Sequence, residues 1–220
     1  MTRVDSDKLR EALKLYFIFG SQNCLKNPLE VLQEAICGGV TCFQFREKGK
    51  GSRTGTAKLE LARQLQKICR GKGIPFIVND DIDLALELDA DGVHIGQDDG
   101  PADEIRKKIG DRILGVSAHT MEEVRQAIVD GADYLGLGPI YPTATKEDAE
   151  AVQGTTLIEE VRKQGIDIPL VGIGGIKAHN AKDVVTAGTD GISVITAISH
   201  AESIALAARQ LLETVEHAKL

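Results

Sequence analysis

The amino-acid sequence predicts a single (β/α)8 TIM barrel, a ring of parallel strands sheathed by helices. Three observations carry that prediction. Eight short apolar runs alternate with amphipathic helical stretches along 220 residues, and strict βα alternation implies a parallel sheet with right-handed crossovers. Four approaches to a strand resemble one another: AICGGVTCFQF, LELDADGVHIG, IVDGADYLGL and VTAGTDGISVI. In each, a helix closes at small residues or glycine, a polar turn follows, and a strand begins. The length also fits, since 220 residues is the compact end of the range for such barrels. An open doubly wound sheet seldom needs so many strands, and no GxGxxG opens the first helix. No Pro-, Gly- or Ser-rich linker divides the chain, so the expected domain spans 1–220, with a short N-terminal helix ahead of the barrel.

Composition narrows the function classes. The chain is 42% hydrophobic, with no Trp, three Tyr and five Phe, which suits a core of small branched side chains. A net charge of −7 and a pI near 5.3 argue against general polyanion binding, so no nucleic-acid partner is expected. No apolar run approaches the ~20 residues that cross a bilayer, and the N-terminus lacks a signal-peptide core. A cytoplasmic protein with no membrane partner is expected. Cys24, Cys37, Cys42 and Cys69 show no CxxC spacing and read as reduced thiols. Barrel helices always carry some exposed apolar surface, so the sequence leaves the oligomeric state open.

The strands follow in order, and in such a barrel the residues after each one build the active site. LYFIF (15–19) opens the ring and leads to the helical stretch LEVLQEAICGG. TCFQF (41–45) runs into QFREK, where Gln44, Arg46 and Lys48 alternate with Phe45 and Glu47. Period-two alternation puts an amide and two cations on one side, a grip for a polyanion. After the helix TAKLELARQLQKICRG, PFIVN (75–79) ends in Asn79-Asp80-Asp81, and GVHIG (92–96) is followed by Gln97-Asp98-Asp99. Adjacent strands lie about 4.8 Å apart, so carboxylates after both can converge on one Mg2+ shared with substrate phosphates. Helix capping accounts for one Asp of each pair, Asp81 before IDLALEL being a natural cap, and leaves the other free.

ILGVS (113–117) ends in GVSAHT, which sets Ser117 at the rim. There Thr120 and Glu123 resemble a capping box, and His119 reads as a structural turn residue. DYLGL (133–137) follows the helix EEVRQAIVDGA and precedes GPIYPTATKEDAEAVQG, the longest aperiodic stretch, where Thr143, Thr145 and Lys146 could fold over a ligand. PLVGI (169–173) ends in GIGGI, and GISVI (191–195) follows the helix NAKDVVTAGT. Loops after the seventh and eighth strands often bind phosphate, and Gly174 and Gly175 permit close approach of backbone N–H groups. The residues thus describe a barrel with two anion sites, one of them metal-assisted.

Together these motifs resemble those of the thiamine-phosphate synthase family. QFREK, VNDD, HIGQDD, GVSAHT, GPIYPTATK, VGIGGI and the strand-eight segment occur in that family's order and spacing over essentially the whole chain. The resemblance implies condensation of 4-amino-2-methyl-5-pyrimidinylmethyl diphosphate with 4-methyl-5-(2-phosphoethyl)thiazole, giving thiamine phosphate and pyrophosphate. It assigns Gln44, Phe45, Arg46, Glu47 and Lys48 of QFREK, with Asn79, Ser117 and Lys146, to the diphosphate substrate. Asp80 and Asp99 become the Mg2+ ligands, which selects Asp99 over Asp98. Thr143, Ala144 and Thr145 match the thiazole-phosphate loop, and Gly175, Ile195 and Thr196 the phosphate cup. Thr196 departs from a position that is often Ser in the family, and Ala144 occupies one that varies.

Such a condensation fits the absence of a convincing nucleophile–base pair. Ionisation to a pyrimidinylmethyl cation needs only that charge on the leaving group be neutralised, for which Arg46, Lys48, Ser117 and Lys146 are the expected catalytic residues, with Mg2+. The alternative expectation is a thiazole tautomerase or ligand-binding regulator of the same fold. Such a protein would keep the glycine cup and lack the carboxylates and the QFREK grip. A phosphosugar isomerase would need a matched acid–base pair.

Overall fold

The eight apolar runs pair in chain order into one closed, wholly parallel barrel, the last strand returning to the first. The computed structural model describes residues 5–143 and 151–219. Its strands are β1 (Leu15–Phe19), β2 (Cys42–Phe45), β3 (Phe76–Asn79), β4 (Gly92–Ile95), β5 (Ile113–Ala118), β6 (Tyr134–Leu137), β7 (Leu170–Ile173) and β8 (Gly191–Val194). Each lies within two residues of its predicted bounds. The helices between them are α2 (Pro28–Cys37), α3 (Gly55–Arg70), α4 (Ile82–Glu87), α5 (Ala102–Ile109), α6 (Met121–Val129), α7 (Thr156–Lys163) and α8 (Ala181–Thr186). A short α9 (Thr196–Ser199) and a long α10 (Ile204–Ala218) follow β8, and α10 packs between α2 and α8 to complete the outer ring.

The strands are buried on both faces, so alternate residues serve two separate cores. Outward, Phe17, Phe19, Phe43, Phe45 and Phe76 pack under the helices. Phe19 and Phe43 lie 4.8 Å apart, in the tilted geometry that aromatic pairs favour. Inward, Tyr16, Ile18, Cys42, Ile77, Ile113, Tyr134, Val171 and Ile195 fill the lumen. The expected N-terminal helix is α1 (Ser6–Ala12), capped by the Asp5 carboxylate. Leu9 of α1 and Leu13 just after it join the lumen cluster and plug its floor. Gly191 is required there, because a Cβ would lie 1.9 Å from the Leu13 carbonyl oxygen.

The four similar approaches in the sequence become one repeated contact at that floor. Thr41, Asp91, Asp133 and Asp190 each precede an even-numbered strand, and each accepts an N–H from the first two residues of the odd-numbered strand beside it. The donors are Leu15, Phe76, Leu114 and Leu170, at 2.8 Å in every case. Two of the repeats add an arginine. Arg106 reaches Asp133 with the carbonyls of Gly110, Arg112 and Gly131. Arg162 reaches Asp190 with those of Ile166, Ile168 and Gly188. These guanidinium forks tie the end of one helix to the start of the next strand.

Candidate active site

The opposite end of the barrel holds a cavity of about 480 Å3. Its wall includes Lys48, Asp99, Ser117, Thr143, Gly175, Ile195 and Thr196, seven of the residues expected from sequence. Cavities of this size at the C-terminal ends of barrel strands accommodate substrates.

On the β2–β4 side, Lys48 Nζ lies 2.8 Å from Asp80 Oδ2 and 3.9 Å from Asp99 Oδ1. Asp80 and Asp99 are hydrogen-bonded to each other through their side chains. Burial pushes the Asp80 carboxyl up against the pull of Lys48, and neighbouring Asp99 adds to the rise. For Asp99 burial acts in the same upward direction, but hydrogen bonds from Asp80 and the Gly96 N–H, with the Lys48 charge, hold it below the usual range. The two carboxyls are thus pushed in opposite directions, Asp80 up and Asp99 down. Asp80 has φ 60, unusual for a non-glycine residue, and is fixed by its N–H donating to the His94 carbonyl.

The two acidic pairs divide their labour. Asp81 caps α4 through the Leu84 N–H and pairs with Lys58 at 2.7 Å, leaving Asp80 at the mouth. Asp98 is exposed, whereas Asp99 folds back so that Oδ2 accepts the Gly96 N–H at 2.7 Å.

Along QFREK the alternation is as expected, and it separates the segment into two functions. Gln44 and Arg46 are buried, at 1% and 7% exposure, and Lys48 emerges into the cavity wall. The side chains of Phe45 and Glu47, expected among the substrate contacts, face the other way, because neighbouring residues of an extended chain point to opposite sides. Phe45 stacks on Phe76 beneath the helices. Glu47 accepts hydrogen bonds from Ser21 N–H, Ser21 Oγ and Arg53 N–H at 2.6–2.7 Å. It fastens the loop after β1 to the cationic strand end, and Gln22 Nε2 adds bonds to the Arg46 and Lys48 carbonyls. Asn79 ends β3 beside His94.

Gln44 and Ser117 turn out to be the two ends of one hydrogen-bonded chain across the lumen. Gln44 Nε2 donates to Tyr16 Oη at 2.8 Å, which bonds Tyr134 Oη at 2.8 Å. Tyr134 Oη meets His94 Nδ1 at 2.9 Å, and His94 Nε2 meets Ser117 Oγ at 3.0 Å. The middle three residues were not singled out by sequence, although period-two alternation of polar groups inside apolar strands was the signal for them. Both phenols are driven well above the ordinary tyrosine range by burial, Tyr16 and Tyr134 alike, so the chain is one of neutral hydroxyls. Gly115 makes room for it, since a Cβ there would lie 2.1 Å from the Tyr134 ring.

His119 lies in the cavity wall but is held by Glu123, whose carboxylate accepts the His119 N–H at 2.7 Å and contacts Nδ1 at 3.2 Å. Thr120 caps α6 as expected. On the β7–β8 side, Gly174 and Gly175 have φ 97 and 66, and a Cβ on either would collide with the Pro139–Pro142 segment. Thr196 opens α9 across from them. Ala144, Thr145 and Lys146 lie outside the described residues.

A family model described as thiamine monophosphate synthase matches residues 15–198. A protein of Bacillus velezensis named thiamine-phosphate synthase is 58% identical over 219 residues, covering 100% of this chain and 98% of its own. One of the same name from Bacillus cereus is 57% identical over 215 residues, covering 98% of each. The solved structure of thiamine phosphate pyrophosphorylase from Pyrococcus furiosus superposes with a TM-score of 0.84 at 36% identity, over 96% of this chain and 98% of that one.

Proposed function

Because the chain belongs to the thiamine monophosphate synthase family and is a transferase acting on small molecules, we propose the following substrates and roles. The substrates are 4-amino-2-methyl-5-pyrimidinylmethyl diphosphate and 4-methyl-5-(2-phosphoethyl)thiazole. The diphosphate lies against Arg46 and Lys48, with Lys146 as a third cation. The thiazole phosphate lies at Gly175, Ile195 and Thr196, with the loop through Thr143, Ala144 and Thr145. The observation that carries this reading is the Lys48–Asp80–Asp99 cluster, of which Lys48 and Asp99 line the same cavity as the glycine rim.

The carboxylate pair fits a hard divalent cation. Asp80 and Asp99 already share the Lys48 ammonium as a common cation, a place that a metal with oxygen preference would take. Among the described residues no cluster of three His, Cys, Asp or Glu side chains gathers, so diphosphate oxygens and water would complete the shell. When bound, Mg2+ supplies charge neutralisation at the diphosphate.

The remaining chemistry belongs to the chain itself. The C–O bond of the pyrimidinylmethyl diphosphate breaks, and its electron pair departs with pyrophosphate. Arg46, Lys48 and Lys146 stabilise that charge as it develops. Glu47 and Gln22 hold the strand end that presents Lys48. Gln44 and Ser117 orient the pyrimidine from the two ends of the buried chain. The thiazole nitrogen then donates its lone pair to the exposed carbon, so no protein nucleophile is required. A regulator of the same fold has no use for the carboxylate pair.

The test is pyrophosphate release with both substrates, with and without Mg2+, in wild type and Asp99→Ala. The expected outcome is thiamine phosphate formation that depends on the metal and falls roughly 100-fold or more in the variant, a loss of ~3 kcal/mol in transition-state stabilisation. Release without the thiazole substrate would remove the coupling role.

A further inference from the structure

Among the described residues, three buried side-chain atoms lack a hydrogen-bond partner: Gln22 Oε1, Ser193 Oγ and Ser199 Oγ. Of these residues only Ser193 belongs to the cavity wall. It is 2% exposed, and its register neighbours are Tyr16 of β1 and Ile173 of β7. The hydroxyls of Tyr16, Tyr134 and Ser117 nearby are all engaged in the cross-lumen chain. An unpaired buried hydroxyl lowers stability, and an apolar side chain of similar size would avoid that cost. Its presence in the wall of a cavity points to a partner that arrives with the ligand.

Two further features say which part of the ligand it meets. Ser193 lies within β8, whereas Thr196 lies beyond the end of that strand, at the start of α9, so Ser193 sits deeper in the barrel than the phosphate cup. A ring, not a phosphate, therefore reaches Ser193. A thiazole nitrogen that must attack carbon has to keep its lone pair free of hydrogen bonds. The aminopyrimidine has no such restriction.

Building on the proposed substrates, we propose that the Ser193 hydroxyl accepts a hydrogen bond from the exocyclic amino group of the pyrimidine. As the diphosphate leaves, positive charge spreads onto that nitrogen and its N–H becomes a stronger donor. The contact therefore tightens in the transition state, the condition for acceleration. No proton is transferred.

The experiment compares wild type with Ser193→Ala and Ser193→Thr. Steady-state kinetics are taken in each substrate, thermal midpoints are recorded, and inhibition is measured with a pyrimidinylmethyl diphosphate whose amino group is replaced by hydrogen. Ser193→Ala is expected to lower kcat/KM for the pyrimidine substrate roughly 10-fold to 100-fold. KM for the thiazole phosphate should stay within about twofold, with the midpoint unchanged or raised. Ser193→Thr should recover part of the loss, and the amino-free analogue should inhibit wild type and Ser193→Ala equally. Unchanged kinetics in Ser193→Ala would overturn the assignment, as would a matching loss of affinity for the amino-free analogue in that variant. Wild-type protein that forms no thiamine phosphate at all would overturn the proposed substrates as well.

Discussion

Tyr134 makes two of the four hydrogen bonds in the chain that links Gln44 to Ser117. Replacing it with Phe keeps the ring and leaves Tyr16 Oη and His94 Nδ1 without that partner. Tyr134→Phe should cost about 1–3 kcal/mol of stability and lower kcat/KM roughly 10-fold. Tyr16→Phe should have a similar effect, and the double variant less than their sum, because both break one chain. Urea unfolding and steady-state kinetics on the three variants check this. The chain was hard to read from sequence because it depends on register between β1, β4 and β6, strands far apart along the chain. The acidic pairs were half legible. Two adjacent carboxylates announced a cap and a spare, but Asp98 and Asp99 were separable only by the turn that returns Asp99 to the Gly96 N–H.

The strands themselves were legible because each is a short apolar run stopped by a polar turn, and burial on both faces keeps the run free of interruption. Helices α4 and α8, each six residues long, carry a weaker signal, since so few residues barely complete a periodic stripe. The repeated floor contact was visible only as punctuation. Its energetics come from the arginines, which lie far from their aspartates in sequence. Asp190 accepts from Arg10, Arg162 and the Leu170 N–H, whereas Asp91 has the Phe76 N–H and no ion pair among the described residues. Asp190→Ala takes a carboxylate from two guanidinium groups and an acceptor from the Leu170 N–H, and should cost about 2–4 kcal/mol. Asp91→Ala should cost about 1–2 kcal/mol. Chemical denaturation ranks the two, and kcat measured well below the unfolding transition should be unaltered in both.

At the scale of the whole molecule, closure of the sheet makes burial nearly uniform around the ring, and its titratable groups report on that. Burial, aided by negative neighbours, pushes the Cys24 and Cys69 thiols from an ordinary 9.0 to about 12. The same burial raises Cys42, Tyr16 and Tyr134 well above their ordinary values. In the unfolded chain these groups ionise near their ordinary values, while in the barrel they keep their protons. Their contribution to stability is therefore complete below pH 9 and is lost as pH rises toward 12. Thermal midpoints should fall progressively across that window, and Cys69→Ala should flatten the fall even if it lowers the starting value.

The arginine-braced contacts stand at the end of the barrel opposite the cavity mouth, and no residue is shared between the two. Adaptation to a hotter or colder habitat and adaptation to a new substrate therefore draw on different positions. A lineage can change one without renegotiating the other, and a laboratory library can be partitioned the same way, with one pool for heat tolerance and another for selectivity.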